Sequence, residues 1–128
     1  MDPKQKTLLI VEDDQDSRDA LCTMLNALGY KTIAFGAAKE ALAGIEDQKI
    51  DLALLDIMMP EMNGYELMEE LKKLPEFQNT PFVMVTAKDK DSEILEGYQT
   101  GADYYITKPF TKKQLDYGIR IFLGEVEE

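Results

Sequence analysis

Histidine is absent from this sequence of 128 residues. Without histidine the chain cannot form a Ser-His-Asp or Cys-His nucleophile, or a histidine-based zinc site. Cysteine is nearly absent as well: the single cysteine, Cys22, lies in an apolar helical pattern, where we expect a small buried side chain. Any chemistry must therefore use carboxylates, hydroxyls, a lysine, backbone groups or a bound metal.

Long apolar runs and an excess of positive charge are also missing. No segment approaches the roughly 20 apolar residues of a membrane helix, and no signal peptide is visible at the N-terminus. We therefore expect a cytoplasmic protein that does not bind membranes. The net charge of −11 argues against direct binding of nucleic acid or anionic lipid. The length fits one domain, which we expect over residues 1–128.

Short apolar runs alternate with helical periodicities along the whole chain. The runs predict strands at 8–11, 32–35, 52–55, 82–85 and 104–106. The segments after them repeat apolar residues at helical spacing and predict five helices. This alternation is typical of an α/β fold with a doubly wound, five-stranded parallel sheet. Near-continuous apolar strands favour a sheet that is buried on both faces.

Polar side chains follow four of the five predicted strands. In chain order they are Glu12-Asp13-Asp14, Asp56, Thr86 (with Ala87 after it) and Lys108. Ligands of open parallel sheets bind beyond the carboxyl ends of the strands, so we expect these groups to meet at one edge. An acid in such a place can also be a helix cap, and we expect that role for Asp14 or Asp16.

The acids Glu12, Asp13 and Asp56 predict a metal site. Carboxylates held close together raise their own pKa values unless a cation or a lysine compensates, and hard oxygen ligands suit Mg²⁺. Asp56 stands alone at its strand end, which makes it the best candidate for a nucleophile that attacks phosphorus and forms an acyl phosphate. A lysine and a threonine hydroxyl would bind phosphoryl oxygens, and Ala87 would leave room for the phosphoryl group.

Five motifs link the sequence to a known family. They are LLIVEDD at 8–14, LLDIMMPEMNG at 54–64, VTA at 85–87, GADYY at 101–105 and KPF at 108–110. In this order and spacing they resemble the receiver domains of two-component response regulators, over essentially the whole chain. The resemblance implies a flavodoxin-like (βα)₅ fold with strand order 2-1-3-4-5.

The same resemblance implies a role for each acid. Asp56 would be the phosphoacceptor. Asp13 and Asp56 would bind Mg²⁺ directly, Glu12 would reach the metal through water, and Met58 would supply a backbone carbonyl.

It also implies the residues of the switch. Thr86 and Lys108 would bind phosphoryl oxygens, and Tyr105 would be the aromatic side chain that turns inward when the threonine moves. The peptide bond from Lys108 to Pro109 would be cis.

The activity that the resemblance implies is transfer of a phosphoryl group to Asp56 from the phosphohistidine of a sensor histidine kinase or phosphotransfer protein. The chain would not be an enzyme, although it would promote its own phosphorylation and dephosphorylation. Phosphorylation would change the surface of the fourth helix, fifth strand and fifth helix, roughly 89–123, and control a downstream protein or an effector domain. Homodimerisation on activation stays open.

Three alternatives remain. A phosphatase of the haloacid-dehalogenase type needs two acids two residues apart followed by Thr or Val; Asp14 and Asp16 have that spacing, but Arg18 occupies the Thr/Val position. A flavodoxin-like cofactor carrier would share the fold, but the acidic loop after the first strand would repel a phosphate. The third is a receiver that binds partners without being phosphorylated, and fold alone does not decide among them.

Overall fold

The computed structural model describes residues 5–45, 48–87, 101–108 and 110–123, with the backbone alone at 86 and 87. The strands are β1 Thr7–Val11, β2 Lys31–Phe35, β3 Leu52–Asp56, β4 Phe82–Ala87 and β5 Tyr104–Lys108. The helices are α1 Gln15–Ala27, α2 Ala38–Gly44, α3 Gly64–Lys72 and α4 Lys112–Phe122, with a 3₁₀ helix at Pro75–Phe77. The predicted fourth helix lies outside the described residues, so α4 is the predicted fifth helix.

All five strands are parallel, in the order β2-β1-β3-β4-β5. This arrangement confirms the predicted flavodoxin-like sheet and its strand order. Three strands continue past their apolar runs and end at Asp56, Ala87 and Lys108, residues that the sequence pattern placed just beyond the strands. The backbone ladder continues there because it does not depend on side-chain polarity.

Helices cover both faces of the sheet. One buried cluster joins β1, β3 and β4 to α2 and α3, with Leu55 and Leu67 among its members. The other joins the sheet to α1 and α4, with Leu54, Leu25 and Ile119 among its members. No helix in the described part of the chain is long and apolar enough to cross a membrane.

The expectation of burial on both faces holds for the central strands and is wrong for β2. Every residue of β3 is buried, whereas β2 has no fully buried residue. The reason is its position, because β2 is an edge strand with a neighbour on one side alone.

Side-chain caps fix where α1, α3 and α4 begin, whereas α2 begins without one. Asp14 caps α1 by accepting a hydrogen bond from the backbone of the first turn, as predicted. Asn63 and Glu66 form a capping box at α3, and Thr111 and Gln114 form another at α4. Such reciprocal bonds satisfy backbone N–H groups that have no partner inside the helix. These caps hold the loops between strand ends and helices in place.

Two aspartates pair strands at the amino-terminal edge of the sheet. The backbone N–H of Thr7 donates to Asp51 Oδ2 at 2.8 Å, and the N–H of Asp51 donates back to the Thr7 carbonyl at 2.8 Å. Phe82 and Asp103 repeat the arrangement at 2.8 and 2.9 Å. Each carboxylate therefore has a backbone donor of its own.

Candidate functional site

Three carboxylates meet at the carboxyl-terminal edge of the sheet. Glu12, Asp13 and Asp56 each place a carboxylate oxygen within 4.8 Å of the others. They converge because β1 and β3 are neighbours with Val11 opposite Leu55, so the residues that end these strands lie side by side. Glu12 is 1% exposed and Asp56 is 6% exposed, while Asp13 is open to solvent. Burial of two of the three acids makes their mutual repulsion costly.

Glu12 has a hydrogen-bond partner for each of its oxygens. Its Oε1 accepts from Lys108 Nζ at 2.9 Å, and its Oε2 accepts from the backbone N–H of Asp14 at 3.2 Å. Its backbone carbonyl accepts from Arg18 Nη1 at 2.9 Å. These contacts give Glu12 a fixed orientation, with one carboxylate oxygen committed to the lysine.

Asp56 is held in place by contacts of the residues that follow it in the chain and of the start of α3. The Ile57 N–H donates to the Val85 carbonyl at 3.1 Å, and the Gly64 N–H donates to the Ile57 carbonyl at 3.0 Å. A Cβ at Gly64 would fall on the Asp56 carbonyl oxygen, so the start of α3 lies directly against the strand end. The Met58 N–H donates to Asp56 Oδ1 at 3.3 Å. Together these contacts leave the carboxylate facing the other two acids.

In the described part of the pocket, the single positive charge of Lys108 is outnumbered by three carboxylates. Burial, followed by the hydrogen bond and the charge of Glu12, raises the pKa of Asp56 from 3.8 to about 8, and Lys108 opposes that rise. For Lys108, partial burial alone would lower the pKa, but the hydrogen bond to Glu12 and the charges of the acids outweigh it and raise the pKa. A small hard cation among the three carboxylates would relieve this imbalance.

Two other predicted site residues, Thr86 and Ala87, reach the same edge at the end of β4. Thr86 lies opposite Thr107, and Ala87 lies opposite Lys108 in the β4–β5 register. The side chains of Thr86 and Ala87 lie outside the described part of the structure, as does Pro109. Their predicted roles, and the cis peptide bond, stay predictions.

Met58 lies beside the acid cluster, and Tyr105 lies on β5. The Met58 side chain is 52% exposed, and a metal-binding role for its carbonyl stays a prediction. Tyr105 is half-buried against the core beneath α2 and α3, with its hydroxyl oxygen 3.4 Å from that of Tyr65. No motif or periodicity of the sequence connects these two tyrosines, which lie 40 positions apart. The sequence motifs also assign no role at the site to Arg18, although an arginine six residues after Glu12 falls in the first turns of α1.

A family model described as the response regulator receiver domain matches residues 8–120. The phosphate regulon transcriptional regulatory protein PhoB of Pseudomonas aeruginosa is 39% identical over 110 residues, which are 86% of this chain and 48% of that protein. The chain spans about half the length of the curated relatives it matches.

Solved structures show the same similarity. A CheY-like response regulator receiver domain protein from Methanospirillum hungatei is 35% identical with a TM-score of 0.86, over 95% of this chain and 96% of that one. The receiver domain of the sensor histidine kinase PA1611 from Pseudomonas aeruginosa is 25% identical with a TM-score of 0.86, over 94% and 98%. In that structure a magnesium ion is coordinated in the active site cleft.

Proposed function

Because the chain belongs to the response regulator receiver domain family, we propose that it is a signalling switch in which Asp56 accepts a phosphoryl group. The observation that carries this proposal is the buried Asp56 carboxylate within 4.8 Å of the carboxylate oxygens of Glu12 and Asp13. The donor would be the phosphohistidine of a sensor histidine kinase or a phosphotransfer protein. A donor from another protein agrees with the absence of histidine in this sequence.

The acid cluster fits Mg²⁺. Its donors are hard oxygen atoms and two of the carboxylates are buried. Burial, together with the hydrogen bond and the negative charge of Glu12, raises the pKa of Asp56, and a cation would oppose that rise. Asp13 and Asp56 would bind the metal directly, Glu12 would bind through water, and Met58 would offer its backbone carbonyl. When bound, Mg²⁺ would neutralise negative charge on the carboxylates and on the phosphoryl oxygens.

The proposed reaction is a single transfer. An Asp56 carboxylate oxygen forms a bond to phosphorus, the bond from phosphorus to the donor's imidazole nitrogen breaks, and the imidazole leaves with the electron pair. Burial raises the pKa of Asp56 to about 8, and Lys108 opposes that rise, so the lysine and a bound cation would both favour the ionised nucleophile. The Lys108 amine and the Thr86 hydroxyl would bind phosphoryl oxygens, and Ala87 would leave space for them. Attack by water on phosphorus would then break the bond from phosphorus to the Asp56 oxygen, release inorganic phosphate and restore the Asp56 carboxylate.

Phosphorylation would change the surface formed by β5, α4 and the segment between β4 and β5. The new phosphoryl group adds negative charge and acceptor oxygens beside Lys108, and Tyr105 would turn inward in response. The changed surface would control a downstream protein or an effector domain in the cytoplasm, or support homodimerisation. Similar receiver domains occur in a transcriptional regulatory protein and in a sensor histidine kinase, so the family fits more than one output.

Intact mass spectrometry after incubation with acetyl phosphate and Mg²⁺ tests the proposal. We expect one added phosphoryl group on the native protein, and none on Asp56→Asn or on native protein with excess chelator. An adduct that persists in Asp56→Asn would remove Asp56 as the acceptor. If the native protein shows no adduct, beryllofluoride with Mg²⁺ replaces the donor; no change in the NMR signals around Asp56 would then overturn the proposal in favour of a receiver that binds partners without phosphorylation.

A further inference from the structure

Arg18 holds the main chain of the acid loop. Its Nη1 donates to the Glu12 carbonyl oxygen at 2.9 Å. The contact lies where the β1–β2 ladder ends, since the Glu12 N–H donates to the Phe35 carbonyl at 3.2 Å and β2 stops at Phe35. The main chain of Glu12 is therefore fixed on its N–H side by β2 and on its carbonyl side by a side chain of α1.

Gly36 leaves the space that the guanidinium occupies. A Cβ at Gly36 would lie 2.9 Å from Arg18 Nη1 and 3.5 Å from Arg18 Cζ. The nearest of these contacts is too close for a real Cβ, so any side chain at residue 36 would push the guanidinium away from its position. Since the tip of a long flexible side chain can move at little cost, this displacement would leave the fold intact.

The carbonyl that Arg18 binds belongs to the peptide group shared by Glu12 and Asp13. That group is planar, so a bond to its oxygen also fixes the direction in which the chain enters Asp13. Asp13 supplies the exposed carboxylate of the cluster. A guanidinium stays charged at every accessible pH and makes a strong hydrogen bond to a carbonyl.

We propose that Arg18 is a positioning residue of the Asp56 site, which aims Asp13 at the metal position by holding the Glu12–Asp13 peptide. The inference rests on the proposed function for its biological meaning. Its physical content, the geometry of a divalent-cation site, can be measured without phosphorylation. In this proposal Arg18 acts through the Glu12–Asp13 peptide and is not itself a ligand of the metal or of the phosphoryl group.

A Mg²⁺ titration of the whole chain, monitored by NMR, tests the inference with three variants. Arg18→Met removes the donor, Gly36→Ala displaces it while keeping the arginine, and Arg18→Lys keeps a charge and one donor. We expect Arg18→Met and Gly36→Ala each to raise the Kd for Mg²⁺ about tenfold, the scale seen when a supporting contact of a metal ligand is lost. Arg18→Lys should fall between them and the native protein.

The direction in which the Kd for Mg²⁺ changes distinguishes a positioning role of Arg18 from an effect of its positive charge alone. Loss of a positive charge near a cation site would by itself tighten Mg²⁺ binding. Arg120→Met, which removes the other arginine of the sequence from the surface of α4, is the matched control and should leave the Kd unchanged. Thermal unfolding identifies any variant that does not fold. If Arg18→Met does not fold, the Kd of Gly36→Ala tests the inference, because that variant keeps the arginine and displaces its guanidinium.

Tighter or unchanged Mg²⁺ binding in Arg18→Met and Gly36→Ala would overturn the inference, even if the native protein is phosphorylated. Failure of the proposed function can also be recognised separately from failure of this inference. If the native protein binds Mg²⁺ and both variants bind it weakly, but none accepts a phosphoryl group, the inference stands and the proposed function fails.

Discussion

Lys108 and Glu12 lie 96 positions apart in the chain, and the Lys108 Nζ is 2.9 Å from Glu12 Oε1. The pair is asymmetric, since the lysine side chain is 32% exposed and the glutamate side chain is 2% exposed. The same amine lowers the pKa of Asp56. One partly exposed lysine therefore balances part of the charge on two buried carboxylates.

Lys108→Ala should separate metal binding from phosphoryl transfer. Loss of the amine removes a charge that competes with the cation, so we expect Mg²⁺ to bind a few-fold more tightly. The phosphorylation rate should fall by about a hundredfold, because a donor to the phosphoryl oxygens is lost. Lys112→Ala, on the exposed first turn of α4, is the control. Weaker Mg²⁺ binding in Lys108→Ala would contradict this account.

The metal-free protein should lose stability as pH rises. The folded state holds a proton on Asp56 up to about pH 8, whereas the ordinary aspartate value is 3.8. The folded state therefore binds more protons than the unfolded state between these values, and the free energy of unfolding falls as pH rises through that window. Mg²⁺ competes with this proton, so its affinity should rise over the same window.

Asp56→Asn should remove most of the pH dependence of the free energy of unfolding. Near pH 8 it should stabilise the metal-free protein by about 1–2 kcal/mol. Urea unfolding at several pH values with a chelator present measures both effects. The native protein and Asp56→Asn should approach equal stability at the acid end of the range. A native protein that becomes more stable toward pH 8 would contradict the raised pKa.

Gly64→Ala should destabilise the fold by about 2–3 kcal/mol. The new Cβ would meet the Asp56 carbonyl oxygen, and a strand backbone cannot move aside as a side-chain tip can. Gly36→Ala is the comparison, because there the Cβ meets the end of Arg18, and we expect a change within about 0.5 kcal/mol. Chemical denaturation measures both, and equal losses would disprove the distinction.

Asp13→Asn should abolish detectable Mg²⁺ binding at millimolar concentrations. Asp13 contributes one of the three carboxylates, and a neutral amide is a weaker ligand for a hard cation. Asp16→Asn, on the exposed start of α1, removes the same charge outside the cluster and should change the Kd by less than about twofold. An unchanged titration in Asp13→Asn would remove it from the ligand set.

The fold could be predicted from sequence because its elements follow local periodicity. Buried strands such as β3 are continuous apolar runs, and the cap at Asp14 is a short-range signal. The meeting of Glu12 with Asp56 followed from the rule that ligands gather at strand ends. The expected burial of β2 was wrong, because an apolar run does not by itself show that its strand lies at an edge; that position follows from the strand order, which only the family resemblance implied.

The supporting contacts of the site could not be predicted in the same way. The bond from Arg18 to the Glu12 carbonyl depends on the path of a long side chain across a loop, and the contact of Gly64 with Asp56 depends on how closely two backbones approach. Neither contact produces a periodic pattern of residue types that could be recognised in the sequence. A glycine indicates that room is needed but not what fills it.

Mutation of an aspartate should have opposite effects on stability at the two ends of the strands. Asp51 and Asp103 lie at the amino-terminal edge of the sheet, and Asp13 and Asp56 lie at the carboxyl-terminal edge. Asp51 and Asp103 each receive a backbone N–H at 2.8 Å, so each stabilises the strand pair that it joins, and removing it should cost stability with little effect on phosphorylation. Asp13 and Asp56 crowd other carboxylates instead, so removing either should relieve repulsion and abolish function. A mutational scan selected for folding alone would therefore keep Asp51 and Asp103 and lose Asp13 and Asp56, whereas a scan selected for signalling would keep all four.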